Sequence, residues 1–438
     1  MPDAVNPRLR KALPILAAVA VVGVAVTIPL WTSSRGAGRS ASGSSASELS
    51  SVEPAAPVTA AALAHYHWSE LPSAPITPRA QPATVWTGKQ MLVWGGEAPS
   101  ARDDTVYGNG AAYNPSTKTW TALPKAPIDA RGAMGSVWTG SQLFVFGGYD
   151  SVNDEGIPHA LADGALYSPK THTWQRLPAA PLAARLRSQV VWTGHEVVVL
   201  GGDPADQSLD KPGYVSGAAA YDPTTKQWRL LPTMPTVSGH EVRHLKAVMT
   251  PKGIYVWQFW QHITTTSDGG ELISGIDLAI YHPLTNTWTA DPAAASGLGQ
   301  RQAPWGIDQL VVGGGTLYVP AVQPWRGDGS MAPPSFNLQG AELDLTTNTW
   351  SRTPRGPLDD VGALGIWTGA ALLEYDAMME MHTDDGPTIG PGESAAFDPA
   401  TATWTSLPTA PEDDGADGIV WAGTQLLAWG TNGLSFGP

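Results

Sequence analysis

The sequence predicts an all-β fold: a seven-bladed β-propeller of four-stranded blades, preceded by one transmembrane helix. Three observations predict it. Tyr221-Asp222-Pro223-Thr224-Thr225-Lys226-Gln227-Trp228 followed by Leu231-Pro232 recurs as Tyr113 to Trp120, Tyr167 to Trp174, Tyr281 to Trp288, Leu343 to Trp350 and Phe397 to Trp404. The intervals between these Trp residues are 54, 54, 60, 62 and 54 residues, a period that signals a repeat architecture. A second pattern, Trp-Thr-Gly and then Gly-Gly, precedes the first in the early repeats, at Trp86-Thr87-Gly88 with Gly95-Gly96, Trp138-Thr139-Gly140 with Gly147-Gly148, and Trp192-Thr193-Gly194 with Gly201-Gly202.

Each repeat resolves into four short strands, A to D. Strand A ends at Trp-Thr-Gly and strand B at Gly-Gly. Strand C ends at Tyr, and strand D opens at Trp. Between C and D stands a Pro in several repeats, which cannot donate to a ladder and presets a turn, followed by small polar residues. The Thr three places before each Trp (Thr117, Thr171, Thr225, Thr285, Thr347, Thr401) belongs to that turn. Four-stranded units of this length are propeller blades.

The termini set the blade count. Trp421-Ala422-Gly423, Trp429-Gly430 and Phe436-Gly437-Pro438 supply strands A, B and C of a further blade, and His67-Trp68-Ser69-Glu70-Leu71-Pro72 supplies its strand D. Pairing the two closes a ring of seven with no free edge. Of the 19 Trp residues, 12 occupy the strand A or strand D position, which assigns them to packing between blades.

Gly-Gly followed by a spaced Tyr and Trp resembles the kelch-repeat signature, as in the central propeller of galactose oxidase and in bacterial kelch proteins. The resemblance covers residues 64–438. Gly-Gly is complete in three blades, reduced to Gly430-Thr431 in the last, and replaced near Phe259-Trp260, Ala321-Val322 and Asp376-Ala377 in blades 4 to 6. The resemblance implies a binding scaffold or an enzyme. For galactose oxidase it implies a copper radical centre on a Tyr cross-linked to Cys, which a chain with no Cys cannot assemble. The sialic acid mutarotase branch is the other enzyme it implies, and no cofactor is expected.

The front of the chain differs in composition. Arg8, Arg10 and Lys11 precede an uncharged run at 12–31, long enough at ~1.5 Å per residue to cross the ~30 Å core of a bilayer. Residues 1–11 then face the cytoplasm, 32–63 form a flexible tether rich in Ser, Ala, Gly and Pro, and 64–438 form the propeller outside the cell membrane. A cleaved signal, leaving a secreted propeller, is the alternative. The propeller carries 20 basic against 36 acidic residues, a net of −16, which argues against nucleic acid as a partner. Without Cys there is no disulfide framework, thiolate metal site or Cys nucleophile.

Strand direction alternates, so the D–A and B–C connections share one face and the short A–B and C–D turns the other. The first set is long and individual, which suits recognition. Seven places before the strand A Trp, blades 1 to 3 carry Arg79, Arg131 and Arg185, whereas blades 6 and 7 carry Asp360 and Asp414. These five are the candidate ligand-binding residues, ringing the channel mouth; paired hydrogen bonds from Arg would take a carboxylate or an acidic sugar. The alternative is that the arginines fasten blades together. Glu374 is a weak catalytic candidate, because it falls where blades 1 to 3 have Val93, Val145 and Val199 and burial would raise its pKa. His240-Glu241-Val242-Arg243-His244 has the letters of a zinc protease motif, but lies where a strand is expected, with its His residues about 13 Å apart at ~3.3 Å per residue. No metal site is expected. The expected partners are a cell-envelope glycan, a small acidic ligand or a protein, bound by a membrane-tethered binding module. An enzyme acting on an acidic sugar is the alternative.

Overall fold

The structure, a computed structural model, describes residues 56–99, 104–154, 156–204, 215–238, 240–266, 269–290, 309–320, 340–358, 364–375, 379–383, 386–390, 392–411, 416–430 and 433–438. Seven four-stranded antiparallel sheets are present, each in the order A-B-C-D. Blade 1 runs Ala83–Trp86, Met91–Trp94, Gly110–Asn114 and Thr119–Ala122, and the other blades repeat this plan. Blade 7 is composite: His67–Glu70 pairs with Gly433–Gly437, setting Trp68 opposite Phe436. Strand A of every blade neighbours strand A of the next, and that of blade 7 returns to that of blade 1, so the ring closes.

Alternation along strand B explains the seams. Leu92 and Trp94 pack with Leu143 and Val145 of blade 2, while Met91 and Val93 pack with Leu427 and Trp429 of blade 7. One strand therefore serves two interfaces, which is why strand B reads as a continuous apolar run rather than an alternating one. At ~1.5–3 kcal/mol for each large side chain fully buried, these seams dominate cohesion.

The strand D Trp has a second function. Its indole N–H donates to the carbonyl of the Pro that leaves the preceding blade, in a Leu-Pro pair for Trp120 to Pro72, Trp174 to Pro124, Trp228 to Pro178 and Trp288 to Pro232, and in Thr353-Pro354 for Trp404 to Pro354. Trp68 donates to Pro408 in the same way, so the composite blade is latched like the rest. In the C–D turn the residue two places before Trp adopts positive φ, at Lys118, His172, Lys226, Asn286, Asn348 and Ala402.

The packed chain begins earlier than the boundary at 64 that composition suggests. Val58 makes a parallel bridge with Gly369, its carbonyl accepts from Thr368 Oγ1 at 2.6 Å, and Ala60, Leu63 and Tyr66 are buried against blades 6 and 7. Residues 12–31, expected to span a membrane, lie outside the described residues. Among the described residues no helix is long and apolar enough to cross one.

Candidate functional site at the mouth of the propeller

Arg79, Arg131 and Arg185 stand at the head of strand A in blades 1 to 3, fully buried at 0%, 0% and 1% exposure. Each Nε donates to the carbonyl two residues back: Thr77, Asp129 and Ala183. Each Nη1 donates to the carbonyl of the first Gly of the Gly-Gly pair, Gly95, Gly147 and Gly201, at 3.1, 3.1 and 2.9 Å. It also donates to the carbonyl just before strand C, at Asn109, Asp163 and Gly217. The guanidinium thus gathers carbonyls at the point where strands A, B and C of one blade leave the sheet. Gly96 N then donates to Arg131 O and Gly148 N to Arg185 O, which ties blade 1 to 2 and 2 to 3. The Gly-Gly pair lets the backbones at this junction approach closely. A Cβ on Gly148 would stand 2.4 Å from Gly132 O, and one on Gly96 2.6 Å from Ala80 O. Burial lowers the pKa of Arg79 to about 10; it also lowers that of Arg131, with Asp163 opposing. Asp360 and Asp414, the other two candidates, lie outside the described residues.

Glu374 sits in the seam between blades 5 and 6, in register with Gly365 and Ala395. It is 5% exposed, and Oε1 has no hydrogen-bond partner among the described residues. Burial pushes its pKa up to about 8. The strand expected at the zinc-protease letters is present as Glu241–Thr250. His240 precedes it and His244 lies within it, so the two imidazoles do not share a helical face. Among the described residues no group of three His, Asp or Glu could hold a metal ion.

A different set of residues meets at the mouth. Just above each of blades 1 to 3, the residue after Gly-Gly pairs with the residue after the buried Arg: Glu97 with Ala80, Tyr149 with Gly132, Asp203 with Leu186. These short bridges seat Glu97, Tyr149 and Asp203 at equivalent places on three neighbouring blades. The Tyr149 hydroxyl donates to Glu97 Oε2 across the blade boundary. Gly132 leaves the room, since a Cβ there would lie 2.5 Å from that oxygen and 3.2 Å from the Tyr149 ring. One residue further on, Gln81, Ala133 and Arg187 all hold left-handed backbone, with φ of 49°, 49° and 50°. Arg187 Nη1 meets Asp203 Oδ2 at 2.6 Å, and its Nε is buried without a partner among the described residues.

The electrostatics couple these groups. Burial raises the pKa of Glu97, while the Tyr149 bond and the Arg187 charge pull it down. Burial and then the Glu97 charge raise that of Tyr149. A half-buried carboxyl, a phenol and an ion-paired guanidinium, converging from three blades, can bind a polar anionic group and exchange a proton with it. In blade 4 the place equivalent to Glu97, Tyr149 and Asp203 belongs to Trp260. Its indole stacks on the His240 imidazole with centroids 3.6 Å apart, and His240 Nδ1 lies 2.8 Å from Asp277 Oδ2. The signal for this arc was present in the letters immediately after each Gly-Gly pair and two places after each buried Arg.

Seven blades closed by exchange of terminal strands, with Gly-Gly pairs capped by arginine, define a β-propeller of the kelch kind. The kelch-repeats domain described for KLHDC2, KLHL20 and DRC7 matches residues 81–321; the chain belongs to the kelch-repeat family. It is 28% identical over 180 residues to the kelch-like protein terF of Aspergillus terreus, covering 40% of this chain and 39% of that protein. It is 25% identical over 204 residues to the N-acetylneuraminate epimerase of Haemophilus influenzae, covering 39% and 53% respectively. The chain thus spans 39% to 53% of the length of these curated relatives. Among solved structures, a fungal alcohol oxidase in complex with copper aligns with a TM-score of 0.51 at 14% identity, over 86% of this chain and 76% of that one. This is a likeness of fold alone.

Proposed function

We propose that the propeller is a recognition module at the cell envelope, held to the membrane by residues 12–31, which binds a small acidic ligand, an acidic glycan or an acidic group of a protein in the mouth between blades 1 and 4. The observation that carries the reading is Arg187. It is the cation of the arc, 29% exposed at the side chain, held by Asp203 and presented from left-handed backbone. Arg79, Arg131 and Arg185 are closed to solvent and turned onto carbonyls and neighbouring side chains of their own blades, Asp163 among them, so that among these four arginines Arg187 is the one open to an anion. The test is calorimetry on the full chain in detergent with N-acetylneuraminic, glucuronic and galacturonic acids. Binding by the wild type and at least about tenfold weaker binding by Arg187→Gln is expected, and no binding of any of the three overturns the small-ligand reading. Membrane attachment is tested by fractionation: the full chain should resist carbonate extraction, and a chain lacking 12–31 should not.

A second reading is favoured by Glu97. A carboxyl of raised pKa beside a phenol is equipped for proton transfer to and from a sugar hydroxyl. Relatives from Haemophilus influenzae and Escherichia coli bear the name N-acetylneuraminate epimerase. On this reading the chain interconverts forms of an acidic sugar. Following anomer exchange of N-acetylneuraminic acid by NMR decides it: a rate equal to buffer disposes of the enzyme, and a rate lost in Glu97→Gln supports it.

A further inference from the structure

The His240–Asp277–Trp260 group is used by neither reading. We infer that His240 forms a second subsite of the mouth, accepting a hydrogen bond from a hydroxyl of a ring-shaped ligand whose acidic group is held at Arg187; the inference rests on the recognition reading above.

Three features of the group lead there. An ionised carboxylate only accepts, so the contact of His240 Nδ1 with Asp277 Oδ2 at 2.8 Å places a proton on Nδ1, and the neutral imidazole then has its lone pair on Nε2. The ring cannot turn away, because it lies flat on the Trp260 indole, 3.6 Å between centroids and 16° from parallel. Its backbone is held as well, His240 N donating to Val237 O. Such locking of a half-buried imidazole, 24% exposed at the side chain, is the arrangement that fixes a tautomer for use.

Position gives the ligand class. Trp260 fills on blade 4 the place held by Glu97, Tyr149 and Asp203 on blades 1 to 3, opposite Val242, and the imidazole stacked on it stands beside that place, one blade on from Arg187 and Asp203. One end of the arc offers a cation and the other a lone pair beside an aromatic wall. An anion alone uses only the first. A ring carrying both a carboxylate and free hydroxyls uses both, which selects an acidic monosaccharide over a simple carboxylate.

The test uses the full chain in detergent with N-acetylneuraminic, glucuronic and galacturonic acids, and with acetate as the carboxylate lacking hydroxyls. His240→Phe keeps a ring against Trp260 and removes the nitrogen. It is expected to weaken the sugar acids at least about tenfold and leave acetate unchanged, with His240→Gln restoring part of the loss through its amide oxygen. Equal sugar affinity in His240→Phe and wild type overturns the subsite and leaves the Arg187 reading standing. Binding of none of the three sugars by wild type removes both. Imidazole nitrogen shifts of the wild type give a check that needs no variant: Nδ1 should be the protonated nitrogen and Nε2 should move on adding the sugar. Protonation at Nε2 in the free protein, or an Nε2 shift unmoved at saturating sugar, also overturns it.

Discussion

The indole N–H of Trp120 donates to the carbonyl of Pro72 at 2.8 Å, and through this bond the first blade holds the last. Pro72 follows His67–Glu70, the strand that the N-terminal side of the chain gives to blade 7, so this bond and that from Trp68 to Pro408 flank the closure of the ring. Trp120→Phe keeps most of the apolar area and removes the donor. It should cost about 0.5–1.5 kcal/mol in urea unfolding. A loss within error would mean that the indole acts by packing alone.

The two kinds of arginine should separate cleanly. Arg131→Met leaves the carbonyls of Gly147 and Asp163 without their buried donor and should destabilise by about 2–4 kcal/mol. Arg187→Met gives up a partly exposed ion pair with Asp203 and should cost about 1 kcal/mol or less. Thermal or urea unfolding of both variants checks the order; a reversal would assign the structural function to the wrong residue.

Glycines in the blades should differ by what surrounds them. Gly88, in the A–B turn, has φ of +89° with no heavy atom within 4 Å of a Cβ, so Gly88→Ala should cost only about 1 kcal/mol of backbone strain. Gly96 has φ of +96° and would set its Cβ 2.6 Å from Ala80 O, so Gly96→Ala should cost about 1–3 kcal/mol more. Paired denaturant curves read the difference.

Glu374 predicts a pH dependence of definite sign. Its folded pKa, about 8, lies above the ordinary carboxylate value, so between about 4.5 and 8 the unfolded chain releases a proton that the native chain keeps. Stability should therefore fall as pH rises through that window and level off above it. Glu374→Gln should remove this component, matching wild type near pH 4 and exceeding it by a few kcal/mol at pH 8. Parallel slopes for the two proteins across the window would show that Glu374 does not titrate there.

The architecture was legible because the period is written in residues with one job each: Trp for the latch and seam, Gly for positive φ, Pro for the turn. The closure through His67–Glu70 could be read for the same reason, since a missing strand D at one end and a spare one at the other have a single solution. The arginines show where reading by letter stops. Their spacing from Trp was visible, but the carbonyls that absorb them lie 16 and about 30 residues away and meet only in three dimensions. Glu97, Tyr149 and Arg187 escaped notice because they come one from each of three blades and share no letter. Repetition advertises scaffold, whereas the mouth is made of the positions where the repeat varies.

The seating of Val58 on Thr368 and Gly369 bears on how the molecule would carry a load. Those residues form the A–B turn of blade 6, on the side of the ring opposite the mouth. Tension arriving along the preceding chain would be taken up there and by the small helix Ala60–Leu63 before it reached the seam of the composite blade. The residues that close the circle, His67–Glu70 and Gly433–Gly437, would thereby be shielded from such a pull.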